Sequence, residues 1–165
     1  MRKTETFYRK GENIMNTKLL ATLAFIAPLF LTSSVQAGNP QHVQRLLETR
    51  ECMNCNLSGV NLSEAHLIGA DLRNANLEGA NLEHANLEGA DLTGANLKRA
   101  NLSSAMLSNV NFKEANLDHA NLSGAKIYDS NVYGASMNDM NISDAEIFHT
   151  GIGIGGKDLQ IEDWD

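Results

Sequence analysis

Cys52 and Cys55 are the only cysteines in the 165-residue chain, and they stand as a Cys-X-X-Cys pair. A thioredoxin-like redox centre uses that spacing within a βαβ context, which is missing here. Covalent haem attachment needs His directly after the second Cys, where this chain has Asn56. A zinc site needs four ligands, and no second pair follows. Two structural readings stay open. One is an intramolecular disulfide, which suits an exported chain but stabilises little across so short a loop. The other is a pair of free thiols, with Cys55 packed inward as a small residue. A minor redox role through Cys52 and Cys55 is the reading that would carry chemistry.

The remaining reactive side chains do not converge. On a four-sided coil of pentapeptides residues twenty apart would stack, and His84, His119 and His149 differ by 35, 30 and 65. His42 and His66 hold other positions, so no metal site is expected. Ser63, Ser103, Ser123 and Ser143 do share the interval, with Glu83 completing the series. No His joins them and no oxyanion donor is evident, so nucleophilic catalysis is not expected. The chain reads as a non-enzyme with no catalytic residue, no cofactor and no metal. Two surface features stand out instead. Glu78, Glu83 and Glu88 form an acidic girdle around one coil, and Tyr128, Tyr133 and Phe148 share one outward position near the C-terminal end. Clustered exposed aromatics mark contact surfaces, so these three, with Trp164 in the tail, are the candidate interface.

The elements that position these groups follow from a five-residue period. Ala70-Asp71-Leu72-Arg73-Asn74, Ala75-Asn76-Leu77-Glu78-Gly79 and Ala80-Asn81-Leu82-Glu83-His84 show it directly. The central residues are Leu57, Leu62, Leu67, Leu72, Leu77, Leu82, Leu87, Leu92, Leu97, Leu102, Leu107, Phe112, Leu117, Leu122, Ile127, Val132, Met137, Ile142, Ile147 and Ile152, all apolar. Helix faces repeat near 3.6 residues and strands near 2, so neither fits. Two inward residues in five, followed by a tight turn, fit one side of a square coil. The motif resembles that of the pentapeptide repeat family, Ala-(Asp/Asn)-Leu-X-X, over residues 55–154. That resemblance implies an all-β solenoid: a right-handed quadrilateral β-helix with one pentapeptide per side. Four sides make a twenty-residue coil, and about five coils stacked ~4.8 Å apart give an expected length of roughly 24 Å. Leucine ladders then fill a dry interior, and Ala is required where a larger residue would overpack the coil.

Both ends of such a stack need covering. Residues 38–54 are read as an N-terminal cap. Asn39 caps a short helix, Pro40 fits its first turn, and Val43, Leu46 and Leu47 form a stripe laid over the first coil. The stretch Leu46-Leu47-Glu48-Thr49-Arg50-Glu51-Cys52-Met53-Asn54-Cys55-Asn56-Leu57 resembles a lead-in motif of many bacterial members, Leu-Leu-X-Thr-X-X-Cys-X-X-Cys-(Asp/Asn)-Leu. Residues 155–165 are an acidic tail whose Leu159, Ile161 and Trp164 either fold back on the last coil or reach a partner.

Residues 1–37 read as a leader and signal peptide. Lys18 supplies the positive region, Leu19 to Leu31 the apolar run, and Val35-Gln36-Ala37 a cleavage site after Ala37. Thirteen apolar residues are too few to span a bilayer, so no stable membrane insertion is expected after cleavage. Met15 is a candidate true start. The formal charge is −7 and falls to about −10 without residues 1–37, which disfavours nucleic acid as a partner. The resulting expectation is a bacterial, periplasmic or secreted scaffold with an unknown protein partner and an oligomeric state the sequence leaves open. The alternative implied by resemblance is an acidic DNA mimic acting on DNA gyrase. Export, a short rod and the lack of an apparent C-terminal dimerisation helix weigh against it.

Overall fold

A computed structural model describes residues 38–150. The expected leader, the cleavage point after Ala37, the Met15 start, Ile152 and the tail with Trp164 lie outside the described residues.

Each side of the coil is an extended stub of two or three residues followed by a turn. The turn closes when the carbonyl of the central residue accepts a hydrogen bond from the N–H three residues on, as in Ala75 N to Leu72 O at 3.0 Å and Ala105 N to Leu102 O at 3.1 Å. The second residue after each centre has positive φ, from Asn54 (58°) to His149 (49°). That is the left-handed position of a type II turn, which Gly fills most easily and Asn and Asp tolerate.

Pairing between coils joins residues twenty apart. Parallel bridges run from Glu51↔Asp71 through Asn56↔Asn76, Asn61↔Asn81 and onward to Asn121↔Asn141. Within each, the residue before the centre works in both directions: Asn76 N donates to Cys55 O at 2.8 Å, and Asn76 O accepts from Leu57 N at 2.7 Å. Among the described residues, one side alone extends into strands. These are β1 (Lys126–Tyr128) and β2 (Glu146–Phe148), parallel, with Tyr128 opposite Phe148. The ladder begins at Glu51, so the solenoid starts one side earlier than the expected residue 55. Cys52 is a fully buried central residue of that extra side. The Leu pattern conceals this, because a Cys stands in place of the Leu.

The core is two inward columns per side. The centres from Leu57 to Ile127 and the Ala residues from Ala70 to Ala125 are buried, while Ala65 is half-buried. Packing loosens at the C-terminal end: Val132 is 7% exposed, Met137 and Ile147 are half-buried, and Ile142 is 36% exposed. Full burial of the centres thus does not continue through the last described coil.

Polar ladders run beside the core. Asn61, Asn81, Asn101, Asn121 and Asn141 form one column in which each amide Nδ2 donates to the Oδ1 of the residue twenty earlier, at 3.0–3.2 Å. Each Oδ1 also accepts from the N–H two residues on, as Asn101 does from Ser103 at 3.2 Å. The side chain thereby fixes the turn and the register together.

At the N-terminal end, helix α1 spans Pro40–Thr49. Asn39 caps it by accepting from Gln41 N at 2.9 Å, and Pro40 occupies its first turn. Arg50 ends it in the left-handed conformation. Leu46 is fully buried and Val43 packs against the core, but Leu47, expected in the same stripe, is 56% exposed. At one position after Leu46 it has rotated about 100° around the helix, off the face that meets the coil.

Candidate functional site

The aromatic cluster lies where the solenoid departs from its own rule. The position before each side is normally Ala, but residue 130 is Ser. Ser130 is the only buried polar residue among those described. Its hydroxyl donates to Leu107 O at 2.6 Å and accepts from Val110 N at 3.1 Å. It therefore stands in for the direct turn bond of the coil before it, while its own side extends into β1 instead of turning at once. β1 and β2 then hold Tyr128 directly over Phe148, with ring centroids 5.7 Å apart and planes tilted by 31°.

Of the three expected aromatics, Tyr128 and Phe148 are brought together, while Tyr133 holds the equivalent position on the next side of the coil. Phe148 is 61% and Tyr133 68% exposed, while Tyr128 is half-buried beneath the stacking. The Tyr128 hydroxyl donates to the Glu146 carboxylate. That hydrogen bond, with burial and the nearby negative charge adding to it, pushes the phenol above its ordinary pKa, so Tyr128 stays neutral. Beside the rings, His149 Nδ1 lies 3.2 Å from Asp129 Oδ1. Two further groups join this side. Met106, 43% exposed, and Lys126 occupy the column that is Asn86 one coil earlier. Sequence reasoning missed them, although the break in the Asn column at Met106 was the available signal.

The other candidates are held apart. Cys52 and Cys55 are joined as a disulfide, with 2.12 Å between sulfurs and 5.2 Å between Cα atoms. Both are buried, and α1 lies against them. Arg45 Nη2 is 2.7 Å from the Cys55 sulfur, and the Cys52 sulfur is 3.3 Å from the His42 carbonyl oxygen. His42 is occupied structurally, since its Nδ1 accepts from Asn56 N at 2.9 Å. His119 pairs with Asp139 at 3.7 Å, and His84 lies 3.9 Å from Glu83. Ser143 donates into the Asn ladder, to Asn141 Oδ1 at 2.7 Å. In the acidic girdle, Glu78 is partly neutralised by Arg99 at 3.8 Å. No group of three or more potential metal ligands occurs among the described residues. No described helix is long and apolar enough to cross a membrane.

A stack of pentapeptide sides with a twenty-residue bridge interval decides the family. A profile of pentapeptide repeats matches eight copies over residues 55–94 and 95–134. The chain belongs to the pentapeptide repeat family. Its fold is that family's right-handed quadrilateral β-helix. HetL, a pentapeptide repeat protein involved in heterocyst differentiation regulation in the cyanobacterium Nostoc sp. strain PCC 7120, is 33% identical, over 58% of this chain and 50% of HetL, with a TM-score of 0.40. This chain therefore spans about half of HetL. A pentapeptide repeat protein of the Arabidopsis thaliana thylakoid lumen is 27% identical, over 70% of this chain and 72% of its own, with a TM-score of 0.36. Rfr23 from the cyanobacterium Cyanothece 51142 is 31% identical, over 67% of this chain and 96% of its own, with a TM-score of 0.34. No curated protein matches. Proteins of this family are generally structural or interaction proteins rather than enzymes.

Proposed function

We propose that this pentapeptide-repeat protein is an exported scaffold that meets a protein partner through the C-terminal end of its side wall. The observation that carries this reading is the aromatic cluster. A solenoid that lines its wall with Asn, Ser, Glu and Lys places Phe148 outward, more than half exposed and stacked on Tyr128, with Met106 exposed on the same side and Tyr133 exposed at the equivalent position of the next side. Apolar groups clustered in water cost free energy that a partner surface recovers. On this reading α1 covers the first of about five coils, and Trp164 in the tail adds to the contact surface. The signal-like residues 1–37 favour a mature chain beginning at Gly38, in the periplasm or secreted, without membrane insertion.

A photo-crosslinking residue placed at Tyr133 or Phe148, and at Ser103 as control, tests this in the organism. A discrete adduct from the first two, absent from the third and weakened when the other of the two aromatics is replaced by Ser, is expected. Equal labelling from all three, or none, rejects the interface. Inhibition of gyrase supercoiling by the mature chain would favour the DNA-mimic alternative.

A further inference from the structure

The disulfide has neighbours that a structural crosslink does not require. Cys52 and Cys55 both belong to the coil, so their bond does not tether α1 to anything. Yet α1 aims two groups at the sulfurs. The Arg45 guanidinium lies 2.7 Å from Cys55, and the His42 carbonyl oxygen lies 3.3 Å from Cys52. A disulfide sulfur has no proton to donate to a carbonyl and no charge to offer a guanidinium. The reduced pair has both. A Cys52 thiol would donate to His42 O, and a Cys55 thiolate would accept from Arg45. A positive charge beside a sulfur favours the thiolate over the thiol.

We propose that docked α1 poises the Cys52–Cys55 pair toward its reduced form, with Arg45 as the positioning residue, and that small thiols of the glutathione type are the co-reactants. In the exchange, a glutathione thiolate attacks one protein sulfur and breaks the Cys52–Cys55 bond, forming a mixed disulfide. A second glutathione resolves it. Two glutathiones become one glutathione disulfide, two electrons pass to the protein, Cys52 keeps one proton as a thiol, and the other proton leaves to solvent as Cys55 remains a thiolate. Burial sets the rate separately. Cys52 is 0% and Cys55 1% exposed, with α1 against them, so attack waits on α1 lifting from the coil. The helix thus favours the dithiol at equilibrium while slowing its exchange. This goes beyond the scaffold reading and stands independently of it.

The test uses the full chain. Wild type, Arg45→Gln, Arg45→Lys and Gln44→Ala are equilibrated in glutathione buffers, quenched with an alkylating agent and weighed by mass spectrometry. Gln44 is exposed on the same helix and touches Glu48 rather than a sulfur, so it controls for loss of helix stability. Arg45→Gln is expected to shift the equilibrium about tenfold toward the disulfide, equivalent to about 30 mV. Arg45→Lys should recover part of that shift, and Gln44→Ala should match wild type. Thiolate absorbance in the ultraviolet should persist to lower pH in wild type than in Arg45→Gln. Reduction by dithiothreitol should be at least a hundredfold slower for the folded chain than in urea. An unchanged equilibrium in Arg45→Gln, a shift toward the dithiol, or an equal shift in Gln44→Ala would overturn the assignment.

Discussion

The cost of truncating a central residue should fall along a single column of the stack, and the pair Leu102→Ala and Ile142→Ala measures it. Both residues belong to the column that includes Leu62, Leu82 and Leu122. Leu102 is completely buried between coils, whereas Ile142 is 36% exposed on the last described coil. Removing the Leu102 side chain to Cβ deletes about three buried carbons, or roughly 2–3 kcal/mol of transfer free energy at ~0.8 kcal/mol per methylene. The neighbouring coils are tied by backbone bonds such as Leu102 N to Asn121 O at 2.7 Å and cannot collapse freely into the space. A cavity term of about 1–2 kcal/mol therefore adds, giving about 4 kcal/mol in all. At Ile142 about a third of the transfer term is already lost to solvent, and water enters the space left behind. The cost there should be about 1.5–2 kcal/mol. Urea unfolding of the full chain by circular dichroism gives both values. Because solenoid coils couple mainly to nearest neighbours, hydrogen exchange should show Ile142→Ala loosening residues 135–150 alone. Equal costs at the two sites would refute the reasoning, since it would mean that the last coil is covered as tightly as the middle.

Three further outcomes follow from the same geometry. Asn101→Ala removes three part-buried hydrogen bonds, to Ser103 N, Asn121 Nδ2 and Asn81 Oδ1, and should cost about 1–3 kcal/mol in urea unfolding, more than Asn141→Ala, whose three bonds are exposed to water. Gly79 and Gly94 share positive φ, but a Cβ at Gly79 meets nothing within 4 Å while one at Gly94 falls 2.4 Å from Asn74 Oδ1. Gly79→Ala should therefore cost about 1 kcal/mol of backbone strain and Gly94→Ala measurably more, by thermal melts of the two variants. Asp71 is held below its ordinary pKa, chiefly by the hydrogen bond from Arg73 at 2.6–2.8 Å, against a smaller opposing effect of burial. Its contribution is present above the unfolded-state pKa of about 3.9 and is lost as pH falls through the lower folded value. In Arg73→Ala the Asp71 midpoint, read by NMR titration, should move up, and the small stability difference from wild type should vanish in strong acid.

The sequence by itself determined the coil, because a solenoid writes its geometry as a period. Apolar centres at five-residue spacing mark one inward residue per side, their likeness to the pentapeptide repeat pattern implied four sides to a coil, and Ala beside most centres sets how closely the backbone can approach. The stacking of Tyr128 on Phe148 followed from the same count, since residues twenty apart must coincide. The ends were decided only in three dimensions. Cys52 breaks the Leu pattern and so concealed the side that begins at Glu51. Leu47 belongs to an apolar cluster in sequence, yet helix rotation carries it away from the coil. Ile142 looks like any other centre but is 36% exposed, which a period cannot express. Ser130 differs from Ala by one hydroxyl, and only the tertiary structure shows that oxygen entering the preceding turn to bond Leu107 and Val110. Arg45 is ten residues from Cys55, and nothing in their spacing indicates that a guanidinium meets a sulfur. A repeat specifies each neighbour by its interval. Contacts between the repeat and its cap depend on how a helix docks, which is set by shape and burial rather than by count.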